Sequence, residues 1–289
     1  MVADQILMYQ ELGASIYIAV ADLEAYVSRN TDLSELRKTA VEEYLLNYIA
    51  LGLKPKNCHF YFQSQRSNDS SKSNAYYSLA NRLSRHVTFN EMKAVYGELA
   101  PGKMMASLLQ AADMLHPQLL EFEGKPLPTI IPVGSDQDPH IRLARDIASR
   151  YKVLNFEKIS ATYHMFMPGL KGGKMSSSDD SSYIALTDDP KGIKKKVNKY
   201  AFSGGGSTLE EHKKYGGNPD IDVPFQMLRY GLEPNDVKLK QIEDNYRSGN
   251  LMSGELKAIL IDKLEVFLTK HQEKRKLARD KINDYILSD

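Results

Sequence analysis

Cysteine is almost missing from this chain. A single residue, Cys58, among 289 excludes an internal disulfide framework and a cysteine-rich zinc site, and it fits a reducing, cytoplasmic setting. No N-terminal stretch reads as a signal peptide and no apolar run is long enough to span a bilayer, so no membrane role is expected. Neither sign of charge is in excess. The 38 basic and 37 acidic side chains leave a formal net charge of +1, which excludes a chain that is basic throughout and makes any nucleic-acid contact a local matter. The histidines, His59, His86, His116, His140, His164, His212 and His271, are scattered without ligand spacing, so no structural metal is expected. No repeat of fixed period is present, and only Arg66 to Asn74, rich in Ser and Asn, has the composition of a loop.

What is there is an ordinary globular composition, 42% hydrophobic and 26% charged, on a chain long enough for a large domain and a smaller one. Val2 to Leu12 reads as a helix closed by Gly13, and Ile16 to Ala21 as a buried parallel strand ending at Asp22. Helical spacing covers Leu36 to Ala50, His59 to Phe62 is strand-like, and Tyr76 to Leu120 reads as several helices. Thr129 to Val133 is a second buried-type strand, ending at Gly134 and followed by a helix from about Pro139 to Arg150. Alternating strands and helices predict an α/β domain with a parallel sheet, whose ligands sit at the carboxyl ends of the strands. Asp22, Glu24, Gly134, Asp136 and Gln137 all fall there. After about Pro190 the pattern turns helical, over Ile193 to Tyr200, Pro224 to Leu232, Asp236 to Tyr246 and Gly254 to about Leu287. The expected division is therefore 1–189 and 190–289.

The sharpest local feature is Lys174-Met175-Ser176-Ser177-Ser178, preceded by Gly169, Gly172 and Gly173. Glycines let a backbone approach a ligand, a lysine brings a compact charge to a transferring phosphate, and serine hydroxyls add donors. Taken alone, the segment reads equally well as a phosphate loop or a solvated Ser-rich turn. It follows a sheet domain and precedes a helical one, which is where class I aminoacyl-tRNA synthetases carry their lysine loop. Further stretches resemble tryptophanyl-tRNA synthetases of the archaeal and eukaryotic type over nearly the whole chain. These are Pro132-Val133-Gly134-Ser135-Asp136-Gln137-Asp138-Pro139 with Arg142, Arg145 and Asp146, then Tyr200-Ala201-Phe202-Ser203-Gly204-Gly205, Glu210-Glu211-His212, Gly216-Gly217-Asn218-Pro219-Asp220, Ser253-Gly254-Glu255-Leu256-Lys257 and His271-Gln272-Glu273.

The resemblance implies a Rossmann-like catalytic domain followed by an all-helical tRNA anticodon-binding domain, assembled as a homodimer. It implies ATP, travelling with Mg²⁺, tryptophan and tRNA(Trp) as substrates and partners. Lys174, Ser176, Ser177 and Ser178 match the catalytic loop, and Gly134, Asp136, Lys174 and Met175 the ATP contacts. An indole offers one N–H, so a pocket that reads it needs an acceptor. Gln110 and Asp113 lie three apart on one helix face, a spacing equally natural for surface residues on an amphipathic helix. The resemblance places both beside the amino acid, with Glu24, and puts Gln137 on its amino group.

Ala19 departs from the pattern, standing where eukaryotic members have a pocket glutamine. Tyrosyl-tRNA synthetases also carry an aspartate near the position of Asp113, so tyrosine–tRNA ligase is the alternative, and the helical segments favour tryptophan. The basic run Lys191, Lys194, Lys195, Lys196 and Lys199 reads either as a solvated helix face or as a phosphate contact. The His-x-Gly-His element of the class does not occur in this sequence. On the resemblance the chain is expected to start inside a βαβ unit, as a fragment of an enzyme or as a paralogue that binds tRNA or a partner without catalysis.

Overall fold

The β-branched run after Gly13 forms a strand, β1 (Ile16–Val20), which pairs in parallel with β2 (Cys58–Phe62), Ile16 opposite Cys58 and Val20 opposite Phe62. A second parallel pair joins β3 (Ile130–Gly134) to β4 (Ser160–His164), Gly134 opposite His164. The α/β class with parallel strands is as expected, but among the described residues the strands form two separate pairs and not one sheet. β4 went unread in the sequence because Ser-Ala-Thr-Tyr-His carries no apolar run and no clean alternation. The computed structural model describes residues 2–286 apart from Asn30, Met165 and Ser177.

The chain divides into two compact units, Val2–Met165 with Leu277–Asp289, and Phe166–Lys276. Compactness thus draws its line some way before the change of pattern at residue 190, and counts the lysine loop with the helices that follow it.

In the first unit the helices are α1 (Val2–Glu11), α2 (Asp22–Ser28), α3 (Leu33–Thr39), α4 (Leu46–Leu51), α5 (Ser70–Leu83), α6 (Phe89–Tyr96), α7 (Pro101–Leu115) and α8 (Asp138–Arg150). A π-helical turn, Ala40–Leu45, runs α3 into α4. Local chemistry sets the starts. Asp32 and Asp69 accept from backbone N–H groups at the heads of α3 and α5, Thr88 and Glu91 form a reciprocal capping box on α6, and proline opens α7. The buried faces follow helical spacing: Tyr76, Leu79 and Leu83 on α5, Leu108, Ala112 and Leu115 on α7, and Ile141, Ala144 and Ile147 on α8 form one core. Each large aliphatic side chain buried there contributes about 1.5–3 kcal/mol. A second core gathers Ile16, Leu45, Leu46, Phe60 and Phe62 with Ala278 and Tyr285, whose hydroxyl donates to the Leu53 carbonyl at 2.6 Å.

The second unit holds α9 (Pro190–Tyr200), α10 (Leu209–Tyr215), α11 (Val223–Met227), α12 (Asp236–Arg247) and most of α13 (Ser253–Ala278). Ile193, Val197, Phe225, Leu256, Leu260 and Leu264 are central to its core. The last helix is shorter than its sequence pattern. It ends at Ala278 and tightens into a 3₁₀ stretch, Arg279–Asp284, while Leu287 lies outside the described residues. No helix among the described residues is long and apolar enough to cross a membrane.

Candidate functional site

The carboxyl ends of β1 and β2 carry the densest polar chemistry of the first unit. Asp22 is buried there, and its carboxylate is hydrogen-bonded on both oxygens. It accepts from the Ser64 backbone at 3.0 Å, from the Ser64 hydroxyl and from Arg37 Nε at 3.4 Å. Arg37 also donates to Ser64 Oγ at 2.7 Å and stacks over Phe62 at 5.1 Å. Asp22 therefore ties the two strand ends together, at the carboxyl end of β1 where the sequence placed it.

Asp113, near the end of α7, is half-buried and hydrogen-bonded on both oxygens. Tyr61 of β2 and Tyr76 of α5 donate their hydroxyls to Oδ1 at 2.8 and 2.7 Å, and Gln63 donates its amide to Oδ2 at 2.8 Å. Burial outweighs these three bonds and the nearby charge of Arg66, and the carboxyl is pushed up to about 6. Both phenols are held well above their ordinary value, first by burial and then by the Asp113 charge. Beneath them lies Arg66, fully buried, with its guanidinium 4.3 Å from the Tyr61 ring centre and 4.5 Å from that of Phe122. Its Nε donates to His116 Nε2 at 2.8 Å. Burial and Arg66 together keep that histidine neutral.

Gln110, one turn before Asp113, belongs to a second group. Its amide oxygen accepts from Tyr96 at 2.8 Å, and the Tyr96 ring packs edge-on against His140 with centres 4.6 Å apart. Glu24 is exposed on α2, and its charge acts on both Tyr96 and His140. The structure thus joins Gln110 to Tyr96, within reach of the Glu24 charge, and gives Asp113 its own set of partners. Gly134 is buried at the end of β3, Asp136 is exposed, and Gln137 is half-buried at the head of α8 without a side-chain cap. His140, one turn into α8, has a buried Nδ1 with no partner among the described residues, and burial lowers its pKa against the pull of Glu24 and Asp136.

In the second unit the glycine-rich segment is a tight turn. Gly169 N–H donates to the Gly173 carbonyl at 2.6 Å, and a Cβ at Gly169 would meet the Ser182 carbonyl oxygen at 2.9 Å, so glycine is required by close backbone approach. Ser182 clasps Ser176 through its hydroxyl, accepting from the Ser176 N–H at 3.0 Å and donating to its carbonyl at 3.1 Å. Ser176 and Ser178 share a hydrogen bond of 2.9 Å, and Lys171 pairs with Asp179 at 2.9 Å. Lys174 and Met175 are exposed, and no carboxylate among the described residues pairs with Lys174. Ser177 lies outside the described residues. An exposed lysine with no carboxylate partner among the described residues, beside the paired hydroxyls of Ser176 and Ser178, is chemistry for an anionic ligand.

The basic run on α9 is not uniform. Lys191, Lys194, Lys195 and Lys199 are exposed, whereas Lys196 is buried against Asp180 at 2.7 Å and Asp188 at 3.0 Å. Sequence reasoning also missed Tyr61, Gln63, Tyr76, Tyr96 and His140. Gln63 was open to discovery, because it directly follows a strand. Tyr76 was not, since it stands 37 residues from Asp113.

Comparison with known proteins adds a family. The pattern of the class I tRNA synthetases (W and Y) matches residues 1–269. The chain is 44% identical over 277 residues to the tryptophan–tRNA ligase of Aeropyrum pernix, covering 96% of this chain and 72% of that one. It is 45% identical over 286 residues to that of Methanocaldococcus jannaschii, covering 97% and 75%. The crystal structure of the Aeropyrum pernix tryptophanyl-tRNA synthetase superposes with a TM-score of 0.92 at 43% identity, covering 98% of this chain and 76% of that one.

Proposed function

Because the chain belongs to the class I tRNA synthetases of the tryptophan and tyrosine type, we propose that it is a tryptophan–tRNA ligase that consumes ATP. The observation that carries this is the match to tryptophan–tRNA ligases along nearly the whole chain. Chemistry runs in two steps. A carboxylate oxygen of tryptophan attacks the α-phosphorus of ATP, the bond to the bridging oxygen breaks, and pyrophosphate leaves. The adenylate then passes its aminoacyl group to a terminal ribose hydroxyl of tRNA(Trp), and AMP leaves. No protein nucleophile is needed, so positioning and charge supply the acceleration.

In this reading Asp113 accepts from the indole N–H, while Glu24, Gln110 and Gln137 line the rest of the amino acid. Gly134 and Asp136 contact the nucleotide. Lys174, with Met175 and the hydroxyls of Ser176, Ser177 and Ser178, neutralises the departing pyrophosphate. Mg²⁺ enters as part of the nucleotide substrate, held mainly through its phosphates. The helical residues 190–289 engage the tRNA anticodon region, with the exposed lysines of α9 on phosphates. The family resemblance supports a cytoplasmic homodimer. The direct test is amino-acid-dependent exchange of pyrophosphate into ATP. Exchange driven by tryptophan and not tyrosine is the expected result, and exchange driven by tyrosine would overturn it.

A further inference from the structure

A carboxylate offers about four lone-pair positions to donors. Around Asp113 three are taken among the described residues, two on Oδ1 by Tyr61 and Tyr76 and one on Oδ2 by Gln63. One position is left, on Oδ2. The Gln63 side chain is fully buried, and its amide oxygen has no partner among the described residues. Turning the amide over would aim that oxygen at the carboxylate, so the orientation is fixed by Asp113. A buried acceptor left unpaired costs about 1–3 kcal/mol. An apolar side chain of the same shape would avoid that cost, and would leave Oδ2 with two open positions.

We propose that Gln63, Tyr61 and Tyr76 are positioning residues that reduce Asp113 to a single open acceptor, so that the site accepts a ligand ring with one N–H. The inference rests on the reading of Asp113 as the indole acceptor and deepens it. A second free position would admit water or a second donor and weaken the distinction between a ring N–H and a ring without one. The same three donors also hold the carboxylate ionised against its burial. The charged and titratable groups around it are Tyr61 on β2, Tyr76 and Tyr77 on α5, Arg66 after β2, and His116 after α7 through its bond to Arg66. Losing one donor moves the carboxyl further up, so the ionised acceptor appears only at higher pH.

The chain contains no tryptophan, so the fluorescence of the ligand itself reports binding. Tryptophan and its benzothienyl analogue, in which sulfur replaces the N–H, are compared from pH 5 to pH 8 on the intact chain, the analogue by competition. The parent prefers tryptophan, with a loss of that preference below about pH 6. Tyr76→Phe and Gln63→Met reduce the preference about fivefold, the scale of one hydrogen bond, and move the pH midpoint upward while thermal unfolding stays cooperative. Tyr61→Phe is the substitute for either variant if it fails to fold. Equal loss for both ligands with an unmoved midpoint overturns the positioning role. A normal preference in Asp113→Asn overturns instead the reading of Asp113 on which it stands.

Discussion

Lys196 Nζ lies 3.1 and 3.0 Å from the two carboxylate oxygens of Asp188, in the middle of a run of lysines whose other members face solvent. Burial pulls the Lys196 pKa down, but Asp180 and Asp188 pull harder, and the net shift is upward. Charge runs that look alike in sequence can therefore hold two kinds of residue. Lys196→Met should leave Asp188 without its partner and lower unfolding free energy by about 3 kcal/mol, the low end for a broken buried pair, because Asp180 remains open to water. Urea unfolding measures it, and a loss below about 0.5 kcal/mol would show that the pair is only a surface contact.

The exposed neighbours should behave in the opposite way. Lys194→Ala and Lys195→Ala are expected to change stability by less than about 0.5 kcal/mol. If they touch tRNA phosphates, each substitution should weaken tRNA binding and flatten its dependence on log salt by about one unit for each phosphate no longer neutralised. Unaltered salt slopes in filter binding would return these lysines to the solvated face.

Lys174→Ala tests the phosphate loop. Charge on the bridging oxygen grows as pyrophosphate leaves, so the lysine should stabilise the transition state more than bound ATP. The expected loss is about 10²–10³-fold in pyrophosphate exchange, as for a removed charge-stabilising donor, with tryptophan affinity unchanged. Comparable exchange rates for parent and variant would remove Lys174 from the mechanism.

Much of this was legible in the sequence because it is local. β1 and β3 announce themselves as apolar runs that end at polar residues, and the Lys174 loop announces itself by its glycines. What the sequence hides is set by pairings between distant residues. Asp22 and Glu24 look alike as acids just past a strand, yet Ser64, 42 residues away, consumes one and leaves the other in solvent. Lys196 looks like Lys195 until Asp188 is placed beside it. Tyr61 and Tyr76 read as core aromatics, which their rings are, and only the fold shows where their hydroxyls go.

Two glycines of the helical unit should respond to alanine with opposite signs. Gly216 has φ near +75°, and its backbone passes so close to Arg247 that an added Cβ would collide with the Arg247 carbonyl oxygen. Gly216→Ala should destabilise by about 3 kcal/mol or more, combining left-handed strain with a backbone clash. Gly254 sits at the start of α13 with open space around it, so Gly254→Ala should stabilise by about 0.5 kcal/mol through chain entropy. Thermal unfolding of the pair gives both signs in one experiment, and losses of equal size would contradict the difference in packing.

The Asp113 carboxyl should also leave a signature in stability. Its folded pKa of about 6 stands above the unfolded value of 3.8, so between these limits the folded chain binds more protons than the unfolded one. Stability from this group therefore falls as pH rises from about 4 to about 6, and is level above. Glu91 and Asp179 act with the other sign. Arg150 and Thr88 hold Glu91, and Ser181 and Lys171 hold Asp179, at about 2, so their contribution is lost as pH drops below about 4. The two effects share a pH axis and would blur in the parent alone. The difference between parent and Asp113→Asn isolates the first, since the amide keeps the shape but cannot ionise. Relative to that variant the parent should lose stability between pH 4 and pH 6 in urea unfolding, and saturating tryptophan should restore part of the loss only above about pH 6, where the ionised acceptor meets the ring N–H. Parallel curves for parent and variant across this range would mean that Asp113 titrates as an ordinary surface acid, and that burial does not govern it.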